Sequence, residues 1–378
     1  MKKQAKQLIS SAQSAQQQFG SFASDMEQRR ATITQLCESF KSTAGQGNTN
    51  LSPEMKAFVG KITDSVEAVL AKVQKSIEGE EFIRLFDTSL IVLVVGKVNV
   101  GKSSLGNLVS GDVFNKALGA DSPFQGAQIE FRRHQRANQG KQSKPEALSS
   151  KHFQEKETEC TASIQEFTLG GLTWVDTPGL HSMTQANQDL AKQYIDSAEL
   201  VIYLTNSDSP LTHKDAEELR LLGLEQNKRL VIVISRSDTT DDVWDDNVDD
   251  FVTKIVPKST EDKEAQQEWV QQNLKEFKLG GALEKSQAYP ISTVCAKEAI
   301  VNKDEQLWVD SGAQDFYSVL IETVSKRAVE LKQKAPKDRL NALIKQLTEP
   351  ALAQARSALQ QAGADAFVKV DSVESWNP

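Results

Sequence analysis

The chain has little cysteine, no long apolar run and no excess of positive charge, and each shortage excludes a class of protein. Its three cysteines are scattered without metal-ligand spacing, which predicts a protein of the reducing cytoplasm rather than a cysteine-bound metal site. Apolar residues never continue for about 18 positions, so we expect no membrane-spanning helix. The formal net charge of −8 disfavours broad nucleic-acid binding, which requires a basic surface.

The most informative motif is a phosphate-binding loop, which matches the full G-x-x-x-x-G-K-[ST] pattern directly after an apolar run that predicts a strand. Gly96 and Gly101 let backbone N–H groups converge on phosphate oxygens, and the helix that follows directs its positive end at them. Lys102, expected to be exposed, supplies a positive charge to the β- and γ-phosphates, and the Ser103 hydroxyl is a ligand for Mg²⁺. The motif predicts that the chain binds a nucleoside triphosphate. The predicted phosphate-binding residues are Gly96, Lys97, Val98, Asn99, Val100, Gly101, Lys102, Ser103 and Ser104.

A second element, D-x-P-G, begins at Asp176 after a short apolar strand. The Asp176 carboxylate at the strand end can hold Mg²⁺ through water, and the Gly179 N–H can meet the γ-phosphate. A plain turn explains Thr-Pro-Gly alone, but less well when the phosphate-binding loop is also present. Together the two motifs resemble those of the translation-factor-related GTPases, in which D-x-P-G is the switch II signature.

Guanine recognition is predicted where a buried-type strand at 230–234 ends. The GTPase pattern at this place is [NT]-K-x-D, whose Asp accepts hydrogen bonds from the guanine N1–H and the exocyclic amine, two donors that adenine lacks. The resemblance assigns this role to Asp238. Arg236 replaces the usual lysine, and Ser235 departs from the usual Asn or Thr.

The resemblance also implies two weaker elements. A degenerate match to the S-A-K element places Ser292 and Thr293 where a backbone N–H can reach guanine O6. Switch I normally offers one threonine that binds Mg²⁺ and senses the γ-phosphate. Thr161 is our choice because it lies next to a predicted strand, whereas Thr158 stays the alternative because of its spacing to Asp176. The expected catalytic residues are then Lys102, Thr161 and Gly179, and the expected Mg²⁺ ligands are Ser103, Thr161 and Asp176.

Two residues bear on hydrolysis. Leu180 stands where Ras-type GTPases carry the water-orienting glutamine, and a leucine cannot orient water, so another device is needed. Asn99 gives the N-x-G-K-S sequence of Era-type and tRNA-modification GTPases, in which a potassium ion substitutes for an arginine finger, often on dimerisation. Two readings of Asn99 stay open: a K⁺ site, or a residue that tolerates a turn conformation.

The sequence outside the GTPase motifs is helical in pattern. Residues 1–42 carry apolar side chains at alternating steps of four and three, a heptad seam, and similar patterns run through 51–77 and 316–347. We expect the N- and C-terminal arms to pack together as a bundle, with an extended coiled coil as the alternative. The predicted domains are a coiled-coil-like helical arm at 1–81, a GTPase domain at 82–300 and a C-terminal helical segment at 301–378.

Helices before and after a GTPase core resemble the neck-and-stalk plan of dynamin-like proteins, including bacterial ones of the labile-enterotoxin-output type. This resemblance implies a GTPase that acts by nucleotide-dependent self-association, with peripheral contact to the inner face of a membrane. Two alternatives stay open: a membrane-remodelling or assembly module in which turnover matters less, and a ribosome-associated GTPase.

The fold prediction is a doubly wound α/β core with a mixed, mostly parallel sheet and the nucleotide at the carboxyl ends of the strands. One strand, 163–169, is expected to run antiparallel to its neighbours. The basic segment 129–151 is predicted to be a solvated loop, and the aspartate-rich segment 238–250 the solvated start of a helix. The other predicted strands are 89–95, 172–176, 200–205, 230–235 and 287–291, and helices are predicted after Lys102 and around 185–196, 212–224 and 269–277.

Overall fold

The computed structural model describes residues 1–46, 53, 56, 60, 88–134, 145–147, 150–153, 164–178, 194–195, 197–221, 229–245, 249–278 and 286–333. The chain divides into two compact units: Met1–Ala23 with Phe82–Ala335, and Ser24–Glu81 with Pro336–Pro378. The first 23 residues and the stretch from 301 to 335 therefore belong to the same unit as the phosphate-binding loop, whereas the predicted domains placed them in separate helical arms.

A mixed sheet of eight strands forms the centre of the first unit, in the order β10-β7-β6-β1-β5-β4-β2-β3. The pairings among β10, β7, β6, β1 and β5 are parallel, and those of β5 with β4, β4 with β2 and β2 with β3 are antiparallel. The α/β prediction is confirmed, including the antiparallel strand β4. The strands are β1 Leu90–Gly96, β2 Ile129–His134, β3 Pro145–Ala147, β4 Gln165–Leu169, β5 Leu172–Asp176, β6 Leu200–Asn206, β7 Arg229–Ser235, β8 Asp238–Asp245, β9 Asp250–Pro257 and β10 Ala288–Ile291.

Helices cover both faces of this sheet. The described helices are α1 Lys2–Gln46, α2 Lys102–Val109, α3 Asp112–Leu118, α4 His213–Leu221, α5 Thr260–Glu276, α6 Thr293–Asn302, α7 Glu305–Asp310 and α8 Ala313–Glu322, with a 3-10 turn at Gly119–Asp121 and a π-helical turn at Thr323–Arg327. The helices predicted after Lys102 and around 212–224 and 269–277 are confirmed. Most of the helix predicted around 185–196, the pattern at 51–77 and the pattern beyond 333 lie outside the described residues. No helix in the described ranges is long and apolar enough to cross a bilayer.

The central strand β1 shows why this sequence forms a doubly covered sheet. All its residues are buried, and a strand covered on both faces reads as a continuous apolar run. Alternate side chains divide between two hydrophobic clusters. Leu90, Val92 and Val94 lie in the cluster with α1, α2, α6 and α8, and Ile91, Leu93 and Val95 lie in the cluster with α4 and α5.

The start of α1 is a core element of the first unit. Its heptad seam is buried at Ala5, Leu8, Ala12, Ala15 and Phe19, in the cluster that also contains α8. The N–H of Gly171, in the turn between β4 and β5, donates a 2.8 Å hydrogen bond to the Ala12 carbonyl. The first turns of α1 thus pack with α8 against the sheet. For the remainder of the N-terminal arm, the coiled-coil interpretation stays a prediction.

The prediction of a solvated loop at 129–151 is wrong for its described part, which forms β2 and β3. Phe131 lies inward on β2, with ring centroids 5.5 Å from Phe153 and 5.6 Å from Phe167. The alternation of Ile129 and Phe131 with polar side chains is a strand signal that the basic composition of the segment concealed.

The prediction of a helix start at 238–250 is also wrong, because the segment forms an antiparallel hairpin, β8–β9. Val243 pairs with Val252, and the Thr253 hydroxyl donates a 2.7 Å hydrogen bond to Asp242 across the two strands. Threonine, valine and aromatic side chains in these two strands favour extended structure, and they outweigh the aspartates that suggested a helix terminus.

Candidate nucleotide-binding site

The phosphate-binding loop leaves β1 and enters α2 through backbone conformations that require small residues. Gly96 and Gly101 have φ values of +144° and +96°, in the region that favours glycine. A Cβ on Gly96 would lie 2.4 Å from the Leu204 carbonyl oxygen of the neighbouring strand β6. The loop therefore passes against β6 at a distance that only glycine permits.

Lys102 is buried, with 8% of its surface exposed, so the expectation of an exposed lysine is wrong. Its ammonium group donates hydrogen bonds of 2.9 Å to the Gly96 carbonyl and 2.7 Å to the Lys97 carbonyl. Burial lowers the pKa of Lys102, and the nearby carboxylates of Asp176 and Glu218 oppose this shift. Two carbonyl oxygens of the loop thus stabilise this buried cation.

Ser103 and Asp176 meet at the carboxyl end of the sheet. The Ser103 hydroxyl donates a 2.6 Å hydrogen bond to Asp176 Oδ2, and Asp176 Oδ1 is buried without a hydrogen-bond partner among the described residues. Burial raises the pKa of Asp176 to about 6, against the opposing effects of the Lys102 charge and the Ser103 hydroxyl. An unpartnered carboxylate oxygen beside a hydroxyl oxygen fits a hard divalent cation such as Mg²⁺.

The described part of the chain contains no group of three or more His, Cys, Asp or Glu side chains that could hold a metal ion. Mg²⁺ in phosphate sites takes one or two protein ligands together with water and phosphate oxygens. Ser103 and Asp176 therefore suit a Mg²⁺ ion whose other ligands are phosphate oxygens and water, rather than an ion coordinated by protein side chains alone.

The segment after β5 is anchored at its first residue. The Thr177 hydroxyl donates a 2.8 Å hydrogen bond to the Val94 carbonyl of β1. Gly179 and Leu180, together with the switch I candidates Thr158 and Thr161, lie outside the described residues, so their roles stay predictions.

Residues 235–238, which we call the base-recognition segment, contact the phosphate-binding loop through Arg236. This exposed side chain donates a 2.6 Å hydrogen bond to the carbonyl of Asn99, and its own backbone is left-handed, with φ of +56°. Ser235 is buried and donates to the Thr205 carbonyl at 3.0 Å, so its hydroxyl is occupied within the sheet. Arg236 thus joins the two parts of the site. Asn99 has φ of +60°, a conformation that asparagine tolerates better than most residues.

Asp238 and Ser292 are brought together from distant parts of the sequence. The Ser292 hydroxyl donates a 2.6 Å hydrogen bond to Asp238 Oδ2 and accepts one from the Cys295 N–H at the start of α6. Of the two backbone N–H groups predicted as candidates for guanine O6, that of Ser292 donates to the Ser311 carbonyl at 2.9 Å. Thr293, the first residue of α6, remains the candidate N–H donor because the first amides of a helix have no partner within it.

Behind the phosphate-binding loop lies a set of side chains that the sequence pattern did not predict. The Lys97 ammonium group lies 2.9 Å from Asp215 and donates a 3.1 Å hydrogen bond to the Thr212 hydroxyl at the start of α4. The Thr-x-x-Asp spacing from 212 to 215 is a helix-capping signal that could have located the start of α4. It carries no information about a contact with Lys97.

Comparison with known proteins gives one family and several relatives. A model described as the Dynamin family matches residues 115–237. An uncharacterised protein of Acinetobacter baylyi is 30% identical over 322 residues, covering 82% of this chain and 58% of that protein. The tRNA modification GTPase MnmE of Thermotoga petrophila is 22% identical over 202 residues, covering 52% of this chain and 36% of that protein.

Among solved structures, the LeoA bacterial dynamin GTPase from ETEC is similar with a TM-score of 0.40 and 15% identity, covering 84% of this chain and 48% of that chain. The chain spans 58% of the length of the Acinetobacter relative and a smaller share of the MnmE protein.

Proposed function

We propose that this chain binds GTP and hydrolyses it to GDP and phosphate, on the premise that its core is a P-loop GTPase domain of the dynamin-like type. The observation that carries the proposal is the convergence of Lys102, Ser103 and Asp176 at the carboxyl end of the sheet. A cation, a hydroxyl and a carboxylate with an unpartnered oxygen are the groups that phosphoryl transfer requires beside a loop of backbone amides.

The phosphate half of the site acts through charge. Lys102 exchanges the Gly96 and Lys97 carbonyls for β- and γ-phosphate oxygens, so that its buried charge is neutralised by the substrate. Ser103 and Asp176 hold Mg²⁺, which neutralises charge on the phosphates when bound. Thr161, with Thr158 as the alternative, and the Gly179 N–H are proposed to hold the γ-phosphate.

The base half selects guanine. The Asp238 carboxylate accepts from the guanine N1–H and exocyclic amine while Ser292 donates to its Oδ2. The aliphatic part of Arg236 is proposed to lie over the base while its guanidinium group contacts the Asn99 carbonyl. Thr293 supplies the N–H for guanine O6.

Completion of catalysis is proposed to depend on self-association. Leu180 cannot orient the attacking water, so the missing group comes from a K⁺ ion at Asn99 or from a second copy of the chain. The match to the Dynamin family model supports assembly as the process that the nucleotide controls. We place the chain in the cytoplasm, with peripheral contact to the inner face of a membrane and without broad nucleic-acid binding.

Nucleotide competition tests the binding proposal. A fluorescent GDP derivative bound to the full chain is displaced by GTP, GDP and ATP in separate titrations, each with Mg²⁺ and with EDTA. We expect GTP and GDP to displace it at much lower concentrations than ATP, and GTP to require Mg²⁺ for full affinity. Displacement by ATP as effective as that by GTP would contradict the guanine assignment.

Light scattering tests the assembly proposal. The full chain is measured with GDP, a GTP analogue and GDP–aluminium fluoride, in the presence and absence of liposomes. We expect larger particles with the GTP analogue or aluminium fluoride than with GDP. Equal scattering in all three nucleotide states would remove nucleotide-controlled assembly from the proposal and leave a GTPase whose assembly state does not depend on the nucleotide.

A further inference from the structure

The residues 206–215, which connect the end of β6 to the first turn of α4, contact both halves of the candidate site. We call them the bridging segment. At its far end, Asp215 forms an ion pair of 2.9 Å with Lys97 of the phosphate-binding loop, and Thr212 accepts a 3.1 Å hydrogen bond from the same ammonium group. None of these side chains has a role in the proposed chemistry.

Asp215 is fixed in place. Its side chain is 1% exposed, and one of its oxygens accepts a 2.7 Å hydrogen bond from the Tyr203 hydroxyl. The other oxygen accepts from the Thr212 N–H at 2.7 Å and the Thr212 hydroxyl at 2.6 Å. A carboxylate held by this many donors has little freedom, so it determines where the partly exposed Lys97 lies.

The near end of the bridging segment holds the base-recognition segment. The Ser207 hydroxyl donates a 2.5 Å hydrogen bond to the Arg236 carbonyl, and the Ser207 N–H donates to the Ser235 carbonyl at 3.0 Å. The Lys258 ammonium group in turn donates to the Ser207 hydroxyl at 3.1 Å. These bonds fix the left-handed backbone of Arg236, a conformation that is unfavourable for a residue with a side chain.

The middle of the segment is also fixed. Leu211 is fully buried with φ of +55°, its N–H donates to the Thr205 hydroxyl at 2.9 Å, and its carbonyl accepts from Asn273 of α5 at 3.0 Å. Hydrogen bonds and burial thus hold the segment at its middle as well as at its two ends, as expected of a spacer that keeps two parts of a site at a fixed distance.

We propose that Asp215, Thr212 and Ser207 are positioning residues that hold the phosphate-binding loop and the base-recognition segment at the separation that one guanine nucleotide spans. This inference rests on the proposed function. A nucleotide that engages both halves binds more tightly than its fragments only if the halves are already at the right separation. Loss of the bridging contacts therefore weakens binding of the whole nucleotide, while each half keeps its own contacts.

The experiment compares a whole ligand with a fragment of it. Affinities of the full chain for GDP and for pyrophosphate, both with Mg²⁺, are measured by competition against a fluorescent GDP derivative for the unaltered protein, Asp215→Asn and Ser207→Ala. We expect each variant to lose about tenfold in GDP affinity, with pyrophosphate affinity unchanged within error. We expect the double variant to lose less than the sum of the two free-energy changes, because both contacts serve one segment.

A matched control is available in the same unit. Asp112 also lies in the first turn of a helix and forms a 2.8 Å ion pair with a lysine, Lys116. Asp112→Asn should leave both affinities unchanged. Thermal unfolding checks that each variant is folded, and if Asp215→Asn is not, Thr212→Val removes the hydroxyl contact to Lys97 while keeping the side-chain volume.

Two results would overturn the inference. GDP affinity of the folded variants equal to that of the unaltered protein would show that the bridging contacts do not matter for binding. A parallel loss of GDP and pyrophosphate affinity would show that the contacts only maintain the phosphate-binding loop. Failure of the unaltered protein to bind either ligand would contradict the proposed function itself.

Discussion

The Ser103 hydroxyl donates a 2.6 Å hydrogen bond to the Asp176 carboxylate, whose second oxygen is buried and has no hydrogen-bond partner in the part of the chain that the structure describes. The pKa of Asp176 is raised by burial to about 6 from its ordinary value of 3.8. Folding without a metal ion thus places a carboxylate in surroundings that favour its protonated form, and this has a measurable consequence for stability.

We expect stability to fall as pH rises through the window between these two pKa values. Between pH 3.8 and about 6 the folded chain binds a proton at Asp176 that the unfolded chain has released, so rising pH favours unfolding. The shift corresponds to at most about 3 kcal/mol, fully lost above the folded pKa. Urea unfolding in EDTA between pH 4.5 and 7.5 measures it, with Asp176→Asn as the comparison. Equal pH slopes for the two proteins would contradict the assignment.

A prediction about base selectivity follows from the contact between Asp238 and Ser292. In Asp238→Asn the amide oxygen can still accept from the Ser292 hydroxyl, which directs the amide NH₂ toward the base. We expect GTP affinity to fall roughly 10- to 100-fold, and affinity for xanthosine triphosphate to rise, because the C2 carbonyl of xanthine accepts from the new donor. Parallel titrations measure both affinities. Unchanged GTP affinity would remove Asp238 from base recognition.

The packing of α1 on the sheet predicts a large effect from a small substitution. A Cβ on Gly171 would lie 2.6 Å from the Ala12 carbonyl oxygen and 2.5 Å from the Gln16 nitrogen. Gly171→Ala should therefore destabilise the first unit by about 1–3 kcal/mol.

Gly20→Ala is the matched control, because Gly20 lies in α1 itself and an added Cβ there meets nothing within 4 Å. It should leave stability unchanged or raise it by about 0.5–1 kcal/mol, because alanine favours helix over glycine. Urea unfolding measures both variants. A Gly171→Ala protein as stable as the Gly20→Ala protein would show that the start of α1 is not tightly packed.

Leu180 occupies the position of the water-orienting glutamine and cannot replace it. We therefore predict that the rate of GTP hydrolysis depends on potassium and on protein concentration. A group supplied in trans contributes roughly 10³–10⁵ in rate to GTPases that are completed in this way. We expect slow turnover for dilute protein in sodium, with specific activity rising when potassium replaces sodium and when concentration increases. Steady-state phosphate release measures it. Flat specific activity in both salts and at all concentrations would leave a separate activating partner as the source of the missing group.

Features that depend on a local sequence pattern could be predicted from the sequence, whereas contacts between residues far apart in the chain could not. The apolar run before Gly96 and the strand before Asp238 place both loops correctly, because strand ends follow from local pattern. The strand at 129–134 was missed because charged residues concealed a period-two alternation. The β8–β9 hairpin was missed because its many aspartates suggested the start of a helix.

The site itself divides in the same way. The glycines of the phosphate-binding loop and the start of the following helix can be recognised from neighbouring residues alone, so the shape of the loop could be anticipated. The burial of Lys102, the commitment of the Ser292 N–H to Ser311 and the ion pair between Lys97 and Asp215 could not be anticipated. Each depends on tertiary packing between residues far apart in the chain, which a single sequence does not reveal.

Phosphate release from GTP by the purified full chain with Mg²⁺ tests the central claim most directly, with Lys102→Ala as the variant and Lys116→Ala, an exposed lysine in a surface ion pair, as the control. Because Lys102 is buried, thermal unfolding must first show that its variant is folded. We expect the unaltered protein and Lys116→Ala to hydrolyse GTP at the same rate, and folded Lys102→Ala to release no phosphate above background. Equal phosphate release by all three proteins, or none by the unaltered protein under any salt or concentration, would contradict the account of this chain as a GTPase.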